Sequence, residues 1–511
     1  MRDIARMPLP ARQRGAALLI LLAIVSTAII YAVVAGLNRS AADLAQARAQ
    51  KTTTALAQAK EALIAYAVTY ADDLLHANLV PGFLPCPDTG SFLGEGVTAG
   101  SCGSAFVSQL GRLPWRTLGL DALKDGSGEC LWYAVSGTYK YNPNGVTANS
   151  ATSNMMNWDT NGQFNVMDTN GTSFLAGSTD DTHAVAVIFA PDAALSGQDR
   201  TPVAGTTACG GNYTPAAYLE AANGINNSVV SATASAQSTF IAGTRSDTFN
   251  DQLVYITRAD IWNAIKKRSD FMDSLRALTR RAAECVALYG RNNQLGLDLT
   301  DKRLPWASAI SLTNYALNTR YNDANLDLQG RLSFRVDTSK SSTNNKLSGS
   351  SLFGIAAVSY CGYTAQELDW YEHWKDHLFY ALAKSHRPNS GKPTSSPCTT
   401  CLSVNGADSY AAVLIFAGEK LAGQSRNSLT DKGWLINYLE GRNLTNDPNS
   451  GGNGNYEVKD PPTPATFNDI IYAIDTNLPT VTCYSTGSHA MVSVPVVPSS
   501  PPGPYAACPP S

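Results

Sequence analysis

"AVIFAPDAALSGQDR", residues 186–200, returns as "VLIFAGEKLAGQSR", residues 413–426. Each begins as a run of β-branched and aromatic residues, the composition of a buried strand, and closes on a loop ending in Gly-Gln-Xaa-Arg. A match this long implies that one unit occurs twice, and its surroundings agree. "CLWYAVSG" at 130 is echoed by "HLFYALAK" at 377, and "AYLEAANG" at 217 by "NYLEGRNL" at 437. "DTFNDQLVYI" at 247 is echoed by "ATFNDIIYAI" at 465, and "GRLPWRTLGL" at 111 by "KRLPWASAISL" at 302. The order of the blocks is the same in both halves.

A helical segment precedes each copy. "KEALIAYAV", residues 60–68, aligns with "AECVALYGR", residues 283–291, setting Glu61 against Glu284 and Tyr66 against Tyr289. The spacing predicts one long helix over 257–293, ending the first copy and serving as the spine of the second. The short runs "CLWYAV", "AVAVIFA" and "QLVYIT", set between Gly, Asn and Pro clusters, predict strands. The expected fold class is α+β: two tandem duplicated modules, 38–265 and 266–476, each a helix packed on an antiparallel sheet. Trp115 and Trp306, each after Leu-Pro, read as core aromatics. Thr-Phe-Asn-Asp at 248–251 and 466–469 reads as a turn, with Asn and Asp bonding nearby amides and Phe249 or Phe467 entering the core. From about 477 the chain is Pro-rich and should lack a core of its own.

Only 15% of the 511 residues are charged, while Gly numbers 40 and Pro 26. This suits a loop-rich exported protein. The net charge of −3 argues against a nucleic-acid partner, whose phosphates call for a basic face. The ten cysteines are Cys86, Cys102, Cys130, Cys209, Cys285, Cys361, Cys398, Cys401, Cys483 and Cys508. An even count in an exported chain points to disulfides. Cys130 aligns with His377, and Cys209 has no counterpart near residue 430, as expected of a pair gained or lost together. Cys86 and Cys102 fall in what reads as an insertion of about 30 residues that copy two lacks, so they are expected to close that loop. Cys285 and Cys361 occur only in copy two, Cys398 and Cys401 form Cys-Thr-Thr-Cys, and Cys483 and Cys508 lie in the tail. Sequence leaves their connectivity open.

The N-terminus carries the functional reading. Residues 1–15 hold four Arg and one Asp, and from Ala16 to Leu37 there is no charge. As a helix, that run covers about 33 Å, enough for a hydrocarbon core and longer than a secretory signal needs. Arg2, Arg6, Arg12 and Arg14 place the N-terminus in the cytoplasm and the bulk of the chain in the periplasm. The stretch after Asn38 has neither Gly nor Pro to about residue 75, and Leu44, Ala47, Leu56, Ala59, Leu63 and Tyr66 recur at helical spacing.

A basic leader ending in Arg14-Gly15, small Ala16, an apolar span and an amphipathic continuation together resemble the type IV pilin and type II secretion pseudopilin superfamily. The resemblance covers about 60 residues. It implies cleavage by a prepilin peptidase after Gly15, methylation of the new terminus at Ala16, and a single-pass inner-membrane state before assembly with other pilin or pseudopilin subunits. Family members usually carry Glu at the fifth mature position; this chain has Ile20. That departure implies a minor, tip-like subunit rather than the repeating one. The alternatives are a single-pass periplasmic protein with an uncleaved anchor, either a ligand-binding module or a hydrolase, and a processed adhesin acting as a lectin-like module.

Little else suggests chemistry. His373 and His377 would share a helical face, with Cys398 and Cys401 downstream, a spacing compatible with zinc. Trp374 stands where a zincin helix carries Glu, and an oxidising compartment favours a disulfide. Asp-Thr-Asn-Gly occurs at 159 and 168, making Asp159, Asn161, Asp168 and Asn170 weak calcium candidates; two polar turns joined by a short strand is the simpler reading. Nucleophile elbow, phosphate loop, dinucleotide fingerprint and His-Glu-Xaa-Xaa-His are all absent from the sequence. The expectation is a non-enzymatic protein without a cofactor.

Overall fold

The computed structural model describes residues 14–77, 79–90, 93–99, 102–141, 155–291, 303–335, 363–388, 400–450, 454–459, 465–477, 480–485 and 490–495; the side chains of 14–41, 291, 407, 408, 450, 480, 481, 483–485 and 490–495 lie outside the described set. The architecture is mixed α+β with two sheets. Helix α1 (Arg14–Thr69) leads into the first half. Its strands are β1 (Gln109–Arg112), β2 (Trp132–Val135), β3 (Phe164–Met167), β4 (Phe174–Ala176), β5 (Ala184–Ala190), β6 (Ala221–Ala222), β7 (Ile225–Asn226), β8 (Ser238–Ile241) and β9 (Gln252–Thr257). Then come α2 (Arg258–Ile265) and α3 (Ser269–Arg291), followed by β10 (Gln329–Arg331), α4 (Ala365–Trp374), β11 (Leu378–Leu382), β12 (Leu402–Val404) and β13 (Ala407–Phe416). A short helix α5 (Leu429–Lys432), α6 (Gly441–Thr445), β14 (Asn455–Tyr456), β15 (Ile470–Asp475), β16 (Thr480–Ser485) and β17 (Ala490–Pro495) complete the described elements.

The first sheet runs β1-β2-β5-β3-β4, with β9 also on β5 and β8 on β3. The second runs β10-β11-β13-β15-β16-β17, with β12 on β13 and β14 on β12. The ladders are antiparallel except for β3–β8 and β12–β14, which are parallel, so neither sheet is purely antiparallel. β16 and β17 extend the second sheet as a hairpin. Residues 480–485 and 490–495, in the tail expected to lack a core of its own, continue that sheet.

The matched sequence blocks hold matched places. β2 and β11 pair with β5 and β13, and these pair with β9 and β15. One block is corrected. In β1, Gly111 faces Tyr133 and Arg112 faces Trp132; in the second sheet Gly330 faces Tyr380 and Arg331 faces Phe379. The counterpart of Gly111-Arg112-Leu113 is thus Gly330-Arg331-Leu332, not the segment at 302. The Leu-Pro at 304 matches Leu84-Pro85 instead: Tyr133 donates its hydroxyl to Pro85 O and Tyr380 to Pro305 O, each at 3.1 Å. Asp88 bridges Arg112, and Ser308 bridges Arg331. The loops closed by these bridges are nearly equal in length, so Cys86 and Cys102 do not sit in an insertion peculiar to the first half. Trp306 is buried in the core, while Trp115 is only half-buried and carries Arg116 on its ring.

Helix α1 packs on β5 and β9 through Thr52, Ala55, Leu56, Ala59, Leu63 and Ala67, all buried at three- and four-residue spacing. Residues 42–51, by contrast, are exposed throughout, including Leu44. The backbone of Arg48 already touches the globular part, since a Cβ on Gly126 would lie 2.3 Å from its carbonyl oxygen. Among the described residues no helix is long and apolar enough to cross a membrane; Ala16–Leu37 belongs to α1, but its side chains are outside that set.

The long helix expected over 257–293 is broken. Thr257 caps α2 reciprocally with Asp260. Lys267 and Arg268 then close three-residue turns onto Ala264 and Ile265, and α3 restarts at Ser269-Asp270. Arg268 sits at the break because it binds elsewhere: its two terminal nitrogens clamp Asp72 at 2.6 and 2.9 Å and one reaches Val68 O. It fastens the end of α1 to the start of α3, which packs on β13, β15 and β16. One apolar core then runs through both halves, joining Leu63, Tyr133 and Ile188 to Trp262, Trp374 and Leu414. Each such large buried side chain contributes about 1.5–3 kcal/mol.

Candidate functional site

On the face of each sheet away from its helix, the loops are held by the same side chains. Gln198 Oε1 accepts Leu195 N, and Gln424 Oε1 accepts Leu421 N. Arg200 donates to Ala217 O and Arg426 to Asn437 O. Tyr218 lies between two guanidinium groups, Arg112 at 5.5 Å and Arg200 at 4.6 Å; Tyr438 lies between Arg331 at 4.8 Å and Arg426 at 4.3 Å. The Glu that follows each Tyr-Leu is tied to the Thr-Phe-Asn-Asp segment. Glu220 accepts Asn250 N, and Asp251 accepts Glu220 N and Asn227 Nδ2. Glu440 accepts Asn468 N, and Asp469 accepts Glu440 N and Asn443 Nδ2. Phe249 and Phe467 are buried as expected, but Asp251 and Asp469 bind across the fold rather than to nearby amides. Burial, and then repulsion by the partner Glu, pushes both Asp carboxyls well above the carboxylate range.

The halves meet where residues 155–161 dock on the second. Met156 N donates to His373 Nδ1 at 2.7 Å, and Asn157 Nδ2 donates to His373 O at 2.8 Å. Trp158 Nε1 donates to His377 Nε2 at 2.8 Å. An indole is only a donor, so His377 carries its proton on Nδ1, 2.9 Å from Asp376 Oδ1. The 3.1 Å approach of His377 Nε2 to Asp159 Oδ2 is then no hydrogen bond; Arg426 Nη1 lies 3.2 Å from each and bridges them. Burial alone would raise the Asp159 carboxyl, but the Arg426 cation outweighs it and holds it far below the usual range. At Asp376, His377 and Lys432 likewise outweigh burial. Trp158 meets Trp374 edge to face at 4.7 Å. His377, Asp376, Asp159 and Arg426 are all buried, so this histidine is a fastening and not an exposed base.

Above this junction lies a cleft of about 550 Å³ between the halves. The first half contributes Phe106, Asn157, Asp159 and Ser235; the second contributes Asn314 and Lys432, among others.

The histidines suggested for zinc do not converge. His373 uses Nδ1 for Met156 N and has Nε2 3.5 Å from Asp369, while both nitrogens of His377 are occupied. Cys398 lies outside the described residues, and Cys401 is disulfide-bonded. The calcium candidates separate as well. Asp159 is bound to Arg426, and Asn161 Oδ1 accepts Arg258 at 2.6 Å. Asp168 accepts Asn170 N and Thr172 N in the turn between β3 and β4. Among the described residues no group of three or more His, Cys, Asp or Glu is placed to hold a metal ion.

Cys86–Cys102 and Cys130–Cys209 are disulfides, and Cys285 is disulfide-bonded too. Cys361 and Cys508, and the side chain of Cys483, lie outside the described set. Gly15, Ala16 and Ile20 fall on the backbone of α1, where side chains are not described. Sequence reading missed Arg426, Lys432 and Asp376. The repeated Gly-Gln-Xaa-Arg was the available signal for Arg426; nothing in the sequence ties residues 376 and 432 to residue 159.

No known protein family matches this chain, and neither the curated proteins nor the solved structures contain a significant match.

Proposed function

We propose that this chain is a non-enzymatic, pilin-like minor subunit of a type IV pilus or type II secretion-type filament, contributing to assembly initiation, tip structure or surface binding. The observation that carries the reading is α1. Its 56 residues continue from the packed segment, through the exposed stretch 42–51, into the uncharged run Ala16–Leu37 behind Arg14-Gly15. In this reading residues 1–15 are a cytoplasmic leader removed after Gly15 by a prepilin peptidase. The 16–37 run first spans the inner membrane and later packs among the helices of neighbouring subunits. Both surroundings are apolar, so the same surface serves in each. Ile20 lacks the carboxylate by which a repeating subunit meets its neighbour, which suits a tip position.

Two tandem copies of one module, 38–265 and 266–476, would form the periplasmic bulk. The matched registers and the paired Arg–Tyr–Arg arrangements support duplication.

The test is a blot of cells with and without the prepilin peptidase, with N-terminal sequencing of the product. Loss of about 15 residues, leaving Ala16 first, is the expected result. A product still beginning at Met1 in peptidase-positive cells overturns the reading in favour of an uncleaved anchor.

A further inference from the structure

We propose that Lys375 and Asn318 become joined by an amide bond between their side chains, formed by the folded chain itself with Glu372 as proton carrier. Glu372 stands in the last turn of α4 and Lys375 follows three residues later, so the two side chains share one side of the helix end. Asn318 opens a three-ten turn, Asn318–Arg320. All three residues are buried. Lys375 Nζ donates to Glu372 Oε2 at 2.6 Å, to Asn318 Oδ1 at 2.7 Å and to Ala316 O at 2.5 Å. Asn318 Nδ2 donates to Glu372 Oε1. One carboxylate thus holds the amine with one oxygen and the amide nitrogen with the other. The ring of buried Tyr321 lies 5.8 Å from Nζ and helps keep water out.

These contacts suit the aminolysis of an amide. Nζ is 2.7 Å from Oδ1 and a carbonyl bond is about 1.23 Å long, so Nζ stands within about 3.9 Å of Cγ at any angle. A small swing brings it to the separation of a reacting pair, about 3–3.5 Å. Burial favours the neutral, nucleophilic amine and, against the pull of Glu372, holds Lys375 below the ordinary lysine range. Glu372 Oε2 first takes a proton from the ammonium. The freed lone pair forms the Nζ–Cγ bond while the carbonyl electron pair moves to Oδ1. Glu372 Oε1 passes that proton to Nδ2, and the carboxylate then takes a second proton from Nζ. The carbonyl re-forms, the Cγ–Nδ2 bond breaks with its electron pair going to nitrogen, and ammonia leaves. Ammonium, carboxylate and carboxamide have become a secondary amide, a carboxylic acid and ammonia. The step consumes neither oxidant nor reductant.

Two comparisons within the chain set this group apart. The alignment of Cys130 with His377 puts Asp125 at the place of Glu372 and Gly128 at the place of Lys375. The first half keeps the acid without the amine, and Asp125 accepts amides of its own turn, Ser127 N at 2.9 Å and Glu129 N at 3.0 Å. Lys140, the other buried lysine among the described residues, donates to the backbone carbonyls of Cys102 and Ser104, and neither is a side-chain amide. An ion pair buried for stability alone gains little over apolar packing. The second half has instead set amine, amide and acid in mutual contact. The bond would close a loop of 57 residues and tie the segment ahead of β10 to the end of α4, in a form that a reductant cannot open.

The bond needs no cut at Gly15, so its failure leaves the filament reading standing, and an uncut leader leaves the bond standing. The experiment takes the purified full-length chain in detergent, reduces and alkylates it, digests it with trypsin and reads the peptides by tandem mass spectrometry. The expected product is a branched peptide joining residues 304–320 to 347–384, uncut after Lys375 and lighter by one ammonia than its two parts. A succinimide formed within Asn318 also loses ammonia, but it leaves 304–320 linear and Lys375 open to trypsin. Glu372→Gln should return the two linear peptides, and the digest of the unaltered chain decides even where that variant fails to fold. Linear peptides alone from the unaltered chain, a succinimide without the branch, or full branching in Glu372→Gln overturns the proposal.

Discussion

The Arg426 guanidinium lies 4.3 Å from the ring centroid of Tyr438, as Arg200 lies 4.6 Å from that of Tyr218. The two arginines end the same loop in the two halves, yet their surroundings differ. Arg200 pairs with half-buried Glu129 at 3.2 Å. Arg426 reaches across the junction to fully buried Asp159. One inherited contact has thus been turned outward into a link between halves.

Replacing Arg426 by Met leaves the Asp159 carboxylate buried without its cation. The expected loss is about 3–5 kcal/mol, against about 1 kcal/mol or less from the pairing with Glu129 in Arg200→Met. Urea denaturation measures both. Asp159→Asn together with Arg426→Met should cost clearly less than the sum of the single changes, because the uncompensated charge is gone.

Trp158→Phe keeps the aromatic contact with Trp374 and removes the N–H that satisfies His377 Nε2. Nε2 then keeps only the Arg426 Nη1 donor at 3.2 Å, and the lost hydrogen bond costs about 0.5–1.5 kcal/mol. Thermal unfolding should show a lower midpoint, with the far-ultraviolet spectrum at 25 °C unchanged.

The paired acids predict a pH dependence. Asp251 and Asp469 hold protons in the folded state that the unfolded chain, with carboxyls near about 4, has released. Stability from these groups is therefore fully present below that value and falls as pH rises toward the raised folded-state values. Asp251→Asn with Asp469→Asn mimics the protonated form. The double variant should be as stable as the parent in acid, more stable at neutral pH, and flatter in between. A parent midpoint that instead rises from pH 4 to pH 7 by the amount seen in the variant contradicts the assignment.

Cys130–Cys209 closes a loop 79 residues long in sequence, at the strand position where the second half carries His377. Replacing both cysteines by Ser should lower stability by about 2–4 kcal/mol. Mass spectrometry after alkylation should find two fewer protected thiols.

Much of the fold could be read from the chain because strands and their loops repeat: a Gln, an Arg, a Tyr and an acid recur at spacings that the two sheets reuse. The alignment failed at Leu-Pro-Trp, where identical letters at 113–115 and 304–306 occupy different places. Register is set there by what faces Tyr133 and Tyr380, and local sequence does not carry that. The helix break at 266–268 was hidden because good helix formers surround it; Arg268 there binds Asp72, far back in the sequence, as well as Asp270. The cleft was invisible for the same reason, since residues 155–160 and 427–432 meet only after both halves are built. Asn227, which plays the part of Asn443, was masked by the small ribbon β6–β7 inserted before it.

Arg268 gives the projecting rod a mechanical character. A tug on α1 reaches the first sheet through the face packed on β5 and β9. The rod is tied to the second as well, because the guanidinium that grips Asp72 stands at the root of α3. The helix is thereby fastened to both lobes, to the first by a packed apolar face and to the second by an ion pair at the surface.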